Sequence, residues 1–208
     1  MSEFDLKAKD WDKEKVHLER SQTIATQIMQ LIPIKPGMKA MEFGAGTAIL
    51  SFVLQDKFDS ILLIDNSQEM IRICNEKIAS SNSKHIKTLQ IDLEIENFEG
   101  KFDFIYSQMA FHHLVDVAKV IFKFYHLLDN DGFLVIADLF PEDGSFHGEG
   151  FTGHKGFDPE LLKGIMRKVG FRNIHHITSY VQKKIEPDGQ QKEYPVFLII
   201  AKKFSEKL

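Results

Sequence analysis

Short apolar runs that alternate with helical segments constrain the fold of this chain more than any other feature. Five such runs lie between residues 39 and 137, at Lys39–Phe43, Ser60–Asp65, Ile86–Ile91, Phe102–Tyr106 and Gly132–Ala137. Runs of this length and apolarity are typical of strands buried on both faces of a parallel sheet. Their alternation with helices predicts an α/β fold, doubly wound, with helices on both faces of a mostly parallel sheet.

The segments between these runs carry the signals of helix ends. Helices are predicted over 47–54, 67–78, 117–128 and 158–169, the second with Met70, Ile71, Cys74 and Ile78 on its inner face. Ser67 is a favoured capping residue, and Pro159 stands at a first helical position. Gly170 then ends the last of these helices. The Asn130-Asp131-Gly132 triplet predicts a turn just before the fifth strand.

The two ends of the chain depart from the alternating pattern. Two strands are predicted near 172–184 and 194–202, and the Pro187-Asp188-Gly189 turn between them predicts an antiparallel C-terminal hairpin, which gives seven strands in all. At the other end, residues 5–32 predict a helix, with Val16, Ile24, Ile28 and Leu31 at helical spacing. We therefore expect an N-terminal helical cap over residues 1–35 and a main domain over residues 36–208.

Composition excludes several classes of function. The 208 residues hold 26 Lys and Arg against 30 Asp and Glu, and the net charge of −4 argues against a nucleic-acid partner. The single cysteine, Cys74, excludes an internal disulfide and a cysteine-rich zinc site. Residues 1–5 do not resemble a signal peptide, and no apolar run is long enough for a membrane span. A cytoplasmic location is therefore expected.

A glycine-containing loop follows the first predicted strand, at Gly44-Ala45-Gly46. Glycines allow a tight turn and a close approach of backbone to a ligand, but this signal alone is weak because dinucleotide enzymes use a similar loop. Two details argue against a dinucleotide. Ile49 stands where the dinucleotide fingerprint has its third glycine, and the acid Glu42 precedes the loop, where it favours a cationic ligand.

Two further acids end the second and third strands. Asp65 follows Gly46 by 19 residues, a spacing at which an acid accepts hydrogen bonds from ribose hydroxyls. Asp92, followed by Leu93, can accept a hydrogen bond from the amine of an adenine. Because strand ends converge on one edge of a parallel sheet, these groups predict a nucleoside site there.

Four motifs taken together resemble the class I methyltransferases. They are Glu-Phe-Gly-Ala-Gly at 42–46, Leu-Ile-Asp-Asn-Ser-Gln-Glu-Met at 63–70, Ile-Asp-Leu at 91–93, and Phe-Asp-Phe-Ile-Tyr-Ser-Gln-Met-Ala-Phe-His-His-Leu at 102–114. The resemblance covers roughly residues 36–140 and is closest to the branch that includes the ubiquinone and menaquinone C-methyltransferases. It implies a Rossmann-like fold and S-adenosyl-L-methionine, a cationic sulfonium, as the cofactor. Ala48 departs from the third glycine that the family often carries.

The resemblance also implies which residues bind the cofactor. The methionine part would lie against Glu42 and the glycine loop, the ribose against Asp65, and the adenine against Asn66, Asp92 and Leu93, with Gln108 beneath the cofactor. The full set of implied cofactor residues is Glu42, Gly44, Ala45, Gly46, Asp65, Asn66, Asp92, Leu93 and Gln108.

The acceptor side of the site is less clearly marked in the sequence. His112 and His113 follow the fourth strand, and His147 lies in a long connection after the fifth; an imidazole titrates near neutral pH and can act as a general base, so these three are the catalytic candidates. Asp138, His154 and the only tryptophan, Trp11, are candidates for substrate or lid contacts. The spacing of Asp138, His147 and His154 does not predict a metal site.

The predicted reaction is an in-line transfer of the sulfonium methyl group to a small-molecule acceptor. Quinone, phenol, thiol, amine and carboxylate acceptors all remain open. Two other functions remain as alternatives. One is a nicotinamide-dependent oxidoreductase on a similar fold, although Glu42 and Ile49 argue against it. The other is a non-catalytic module that binds S-adenosylmethionine.

Overall fold

One seven-stranded sheet organises the molecule. The computed structural model describes residues 8–185 and 189–204. The strands are β1 (Lys39–Phe43), β2 (Ser60–Asp65), β3 (Ile86–Gln90), β4 (Phe102–Gln108), β5 (Leu128–Leu139), β6 (Arg172–Ile185) and β7 (Gln191–Lys202). They lie in the order β3-β2-β1-β4-β5-β7-β6; among these described strands β7 pairs antiparallel with both β5 and β6, and the other four pairs are parallel. The predicted mostly parallel sheet with an antiparallel C-terminal hairpin is confirmed.

Five helices cover the sheet within the described ranges: α1 (Lys15–Leu31), α2 (Ile49–Leu54), α3 (Gln68–Ser81), α4 (Val117–Leu127) and α5 (Pro159–Val169). Polar side chains cap the N-termini of α3, α4 and α5, and the predicted Ser67 is among them. The Ser67 hydroxyl accepts a hydrogen bond from the Met70 N–H at 3.2 Å, and Asp158 caps α5 through the Glu160 N–H at 2.8 Å. Such caps satisfy N–H groups that the first helical turn leaves without partners.

The position of β1 decides where a ligand can bind. The chain runs from β1 to β2 and β3 on one side, and then crosses back to place β4 on the other side of β1. The carboxyl ends of β1 and β4 therefore lie at a switch point, where the following segments diverge to opposite faces and leave a crevice.

Two apolar layers pack on the two faces of the sheet. The first joins Ile24 and Ile28 of α1 to strand residues such as Tyr106 and Leu198. The second joins Phe124 of α4, with Met166 and Phe171, to the opposite faces of β4, β5 and β7. Because α1 contributes to a layer on the sheet, it is held in place by burial of apolar surface. The division between residues 35 and 36 stays a prediction.

The N-terminal region differs from the single helix predicted over residues 5–32, of which residues 5–7 lie outside the described ranges. A 3₁₀ helix spans Ala8–Lys13, and Glu14 has an extended backbone before α1 begins. Of the apolar residues at helical spacing, Ile24 and Ile28 are buried, whereas Leu31 is 43 % exposed. The buried stripe continues from Ile28 to Ile32, one turn later, and Leu31 lies outside it.

The turn predicted at Asn130-Asp131-Gly132 lies inside β5. Its pairing with β4 shifts there, because Phe102 is opposite Leu128 whereas Phe104 is opposite Phe133. Asp131 takes a left-handed backbone (φ 65°), so the turn bulges from a strand that continues on both sides. Pro187 and Asp188 of the predicted hairpin turn lie outside the described ranges. Within those ranges, no helix has the length and apolarity needed to cross a bilayer.

Candidate active site

A cavity of about 600 Å³ opens at the carboxyl ends of the central strands. All nine residues predicted to bind a cofactor line it: Glu42, Gly44, Ala45, Gly46, Asp65, Asn66, Asp92, Leu93 and Gln108. Trp11 and the three candidate catalytic histidines line it too, whereas Asp138 and His154 do not. The fold thus gathers segments that are up to 173 residues apart in the chain, from Trp11 to Lys184, around one space.

The two glycines of the loop have different structural roles. Gly44 has φ +63°, and a Cβ there would collide with the Cβ of Ala110 at the end of β4. Gly46 has φ +54°, but a Cβ there would meet no heavy atom within 4 Å. Gly44 therefore lets the loop pass close to β4, and Gly46 leaves space open beside the cavity. Ala48 also takes a left-handed conformation, which is why α2 begins at Ile49 rather than at Thr47 as predicted.

Glu42 is buried deep in the cavity wall, with 3 % of its surface exposed. Its Oε2 accepts a hydrogen bond from the Ser51 hydroxyl, which in turn lies 2.5 Å from the Tyr106 hydroxyl. Burial raises the pKa of Glu42 to about 8, although the Ser51 hydrogen bond acts in the opposite direction. Near neutral pH this group is mostly a neutral acid, and a cationic ligand would be needed to hold it as a carboxylate.

Asp65 fixes the glycine loop to the end of β2. One carboxylate oxygen accepts the Gly46 N–H at 2.8 Å, and the other accepts the Ser67 N–H at 2.9 Å. Asp92 is oriented in a similar way, by the Glu94 N–H at 2.9 Å. Backbone hydrogen bonds hold both carboxylates at the edge of the cavity, and each oxygen still has lone pairs for a ligand hydroxyl or amine.

Gln108, which lines the cavity, has an unsatisfied acceptor atom. Its Nε2 donates to the Ser21 hydroxyl at 2.9 Å, but its Oε1 is buried and has no hydrogen-bond partner among the described residues. A buried polar atom without a partner costs free energy of about 1–3 kcal/mol. A ligand N–H in the cavity would remove that cost.

Sequence reasoning missed the basic residues that α1 and β6 contribute to the cavity. His17, Arg20 and Lys184 line it, together with the neutral Gln182. Arg20 is 3 % exposed and donates from Nη1 to Gln182 Oε1 at 2.6 Å, while its Nε has no partner. Burial lowers the pKa of its guanidinium to about 10, so it stays charged at neutral pH. Its place one turn before the buried Ile24 is the signal that could have identified it.

The Arg20 guanidinium has no carboxylate as an ion-pair partner anywhere in residues 8–185 or 189–204. Asp138 attracts this guanidinium only from beyond ion-pair distance, and a buried cation without a directly paired carboxylate is costly. The arrangement therefore favours a ligand that brings an anionic group to this end of the cavity.

The N-terminal segment is tied to the glycine loop. The Thr47 hydroxyl donates to Asp12 at 2.5 Å, and the Lys77 ammonium donates to the other Asp12 oxygen at 2.7 Å. The ring of Trp11 stacks on the ring of His17, with centroids 4.3 Å apart. Trp11 thus lies against one side of the cavity, and a lid role for this segment stays a prediction. Burial lowers the pKa of His17, which keeps this ring neutral near pH 7.

Asp138 supports His112 rather than facing the cavity. Asp138 is fully buried, and its Oδ1 lies 2.6 Å from Nδ1 of His112. It also accepts the backbone N–H groups of His112 at 3.3 Å and of Leu139 at 2.7 Å. In a neutral imidazole that donates from Nδ1 to this carboxylate, Nε2 is the acceptor.

His154 contributes its backbone to the site. Its N–H donates to the carbonyl oxygen of His112 at 2.7 Å, while its ring packs beside Phe157 with centroids 4.8 Å apart. This bond pins the long connection after β5 against the turn that carries His112 and His113. As a result His147 reaches both of them, and the three rings have centroids 4.2, 4.9 and 5.2 Å apart.

Comparison with known proteins gives a consistent family. Residues 16–176 match the methyltransferase-domain family. An uncharacterized methyltransferase from Schizosaccharomyces pombe is 29 % identical over 160 residues, which are 69 % of this chain and 56 % of that protein. The chain spans about half the length of the curated relatives it matches.

Solved structures share the fold. A S-adenosylmethionine-dependent methyltransferase from Aquifex aeolicus superposes with a TM-score of 0.68 over 95 % of this chain and 97 % of that one, at 18 % identity. The phosphoethanolamine N-methyltransferase 2 of Haemonchus contortus, in complex with S-adenosyl-L-methionine, gives 0.71 over 99 % of this chain and 61 % of that one, at 13 % identity. At these identities the likeness is one of fold.

Proposed function

This chain belongs to the family of methyltransferase domains, and from that premise we propose that it transfers a methyl group from S-adenosyl-L-methionine to a small molecule. One observation carries the proposal: the acids at the ends of three neighbouring strands, Glu42, Asp65 and Asp92, line the same cavity as the glycine loop. This is the arrangement that a cationic nucleoside requires.

The polar groups of the cavity fit this cofactor. The unpartnered Oε1 of Gln108 and the buried Glu42 suit the ammonium of its methionine part. Asp65 and Asp92 suit the ribose hydroxyls and the adenine amine, with Asn66 and Leu93 beside them, and the open side of Gly46 leaves room for the ligand. When bound, S-adenosylmethionine supplies an activated methyl group on its sulfonium.

The acceptor side of the cavity supports a small molecule as substrate. A volume of about 600 Å³ is in the range of small-molecule sites, and the chain carries a net charge of −4, which argues against a nucleic-acid acceptor. Arg20 and Lys184 place positive charge at this end, which favours an acceptor or cofactor group that is anionic.

The chain's own contribution is alignment and exclusion of water. The segment with Trp11 covers the cavity, and the wall formed by His112, His113 and His147 faces the acceptor. Orienting two reacting atoms can lower a barrier by about 7–11 kcal/mol. Where the acceptor carries a proton, we propose that this histidine wall assists its removal. A cytoplasmic location and the quinone-methyltransferase branch remain parts of the proposal.

Ligand-induced stabilisation is the first test. S-adenosylhomocysteine should raise the melting temperature of the purified protein, and NADH should not. A methyl-labelled cofactor, incubated with a panel of small quinones, phenols, thiols, amines and carboxylates, should then give a labelled product that mass spectrometry identifies.

Two other outcomes would replace the proposal. Stabilisation by NADH alone would support a nicotinamide-dependent oxidoreductase. Stabilisation by S-adenosylhomocysteine without transfer to any acceptor of the panel would support a non-catalytic binding module.

A further inference from the structure

The three histidines on the acceptor side of the cavity form a compact cluster. Each of His112, His113 and His147 offers one ring nitrogen, and these nitrogens all lie within 4.8 Å of one another. His112 is buried, His113 is half-buried and His147 is exposed. We propose that this cluster is a binding site for a divalent transition-metal ion of the zinc type.

The ligand geometry requires only a small adjustment. Two imidazole nitrogens bound to one tetrahedral Zn²⁺ at about 2.0–2.1 Å lie about 3.3 Å apart. The nitrogens of the cluster must therefore approach by at most about 1.5 Å. His147 can supply most of this movement, because its side chain is exposed on the connection between β5 and α5.

Asp138 gives an independent reason to infer a metal ligand. Histidines that bind metals almost always donate their other ring N–H to a carboxylate or carbonyl, which fixes the ring and makes the ligand nitrogen more basic. His112 has this support from Asp138 at 2.6 Å, and the carboxylate is itself fixed by two backbone N–H groups. The tautomer that results has its acceptor nitrogen, Nε2, available for an ion.

The long connection is built to bring the third ligand to the first two. The His154 N–H donates to the carbonyl of His112, and a Cβ on the neighbouring Gly153 would collide with that same carbonyl. Only a glycine allows the two backbones to lie this close. His147 lies on the same connection and stacks on Phe151, with ring centroids 3.9 Å apart.

The donor set selects among metals. Three neutral imidazoles suit Zn²⁺, Co²⁺ or Ni²⁺, whereas Mg²⁺ and Ca²⁺ prefer oxygen ligands. A site with three protein ligands leaves at least one position open. Because all three histidines line the cavity, that position faces the acceptor, and an oxygen or sulfur of the acceptor would occupy it. This role rests on the proposed methyltransferase function, but binding of the ion itself does not.

Cobalt titration of the untagged, metal-free protein tests the site. Co²⁺ should bind with a stoichiometry of one, produce the visible absorption of a nitrogen-ligated ion, and be displaced by Zn²⁺ but not by Mg²⁺. His113→Ala and His147→Ala should each weaken binding at least tenfold, since each removes one of three ligands. His175→Ala, at an exposed histidine near the start of β6 and outside the cavity lining, is the matched control and should bind Co²⁺ as the wild type does.

A second variant separates the support of His112 from the ligands themselves. Asp138→Asn keeps the shape of the side chain but replaces the carboxylate that accepts a hydrogen bond from Nδ1 of His112. It should weaken Co²⁺ binding about 10–100-fold. Its circular dichroism and melting curve show whether it has folded. Co²⁺ affinity that is the same in His113→Ala, His147→Ala and wild type would overturn the proposal and leave the three rings as an aromatic cluster with Phe151.

The metal proposal and the proposed function can fail separately. A protein that binds S-adenosylhomocysteine but not Co²⁺ or Zn²⁺ overturns the metal site alone. A protein that binds Co²⁺ through these histidines but not S-adenosylhomocysteine overturns the methyltransferase function and leaves the metal site in place.

Discussion

Replacing Glu42 by glutamine tests how burial controls the charge at the centre of the site. Glutamine has nearly the same shape and keeps an oxygen for the Ser51 hydroxyl, so the substitution removes an ionisable group with little change in packing. Glu42 is only 3 % exposed, and burial raises its pKa from 4.5 to about 8. The folded protein without ligand therefore keeps this group protonated at pH 7, whereas the unfolded chain ionises it.

The size and sign of the effect follow from this difference in pKa. A group with a raised pKa in the folded state contributes stability that is fully present below pH 4.5 and is lost as the pH rises to 8. Each pH unit in that window is worth about 1.36 kcal/mol. Between pH 4.5 and 7 the wild type should thus lose about 3 kcal/mol that Glu42→Gln keeps.

Urea unfolding of the two proteins across this pH range measures the effect. The difference in free energy of unfolding between Glu42→Gln and wild type should grow by about 3 kcal/mol between pH 4.5 and 7, which corresponds to a melting-temperature difference of roughly 6–12 °C in a chain of this size. A difference that stays constant over this range would refute the argument that burial holds Glu42 neutral.

Cofactor binding adds a second readout for the same substitution. A cationic ligand binds the ionised form of Glu42. As the pH rises towards 8, the wild-type affinity for S-adenosylmethionine should therefore increase by up to tenfold per pH unit, and binding should release a proton. Calorimetry in buffers of different ionisation enthalpy measures that proton. In Glu42→Gln the affinity should be weaker and the proton release absent.

Three further substitutions test other parts of the cavity. Gly44→Ala should destabilise the protein strongly because its Cβ collides with Ala110, whereas Gly46→Ala should fold with a backbone cost of about 1–2 kcal/mol and lose affinity for S-adenosylhomocysteine. Urea unfolding measures the two stabilities and calorimetry the two affinities; equal stabilities would contradict the different roles given to the two glycines. Arg20→Met should match or exceed the wild type in stability without ligand, because it removes an unpaired buried charge, but should weaken binding of cofactor or acceptor at least tenfold; a large loss of stability would instead make Arg20 a structural residue. Asp65→Asn should weaken S-adenosylhomocysteine binding about tenfold, measured by calorimetry with melting curves as the folding control, since an amide accepts ribose hydroxyls less strongly than a carboxylate.

The residues predicted for the cofactor side came from local signals. The glycine loop, Asp65 and Asp92 each stand directly after an apolar run, and parallel strands bring their carboxyl ends to one edge. Sequence alone therefore predicted which residues gather there. It could not predict that Glu42 is neutral without ligand, because that depends on how completely Ser51, Tyr106 and their neighbours exclude water.

The acceptor side was decided by contacts between residues far apart in the chain. Arg20 meets Gln182 across 162 positions, and His112 meets Asp138 across 26. No periodic pattern encodes such pairs, since each depends on how a helix or a connection packs on a sheet that must form first. The sequence by itself determined the order of strands and helices along the chain, and it determined that the carboxyl ends of β1, β2 and β3 carry the ligand-binding residues. Both depend on residues that are close to one another in the sequence. Only the tertiary structure decided which charges are buried, which histidines meet, and what the far wall of the cavity can bind.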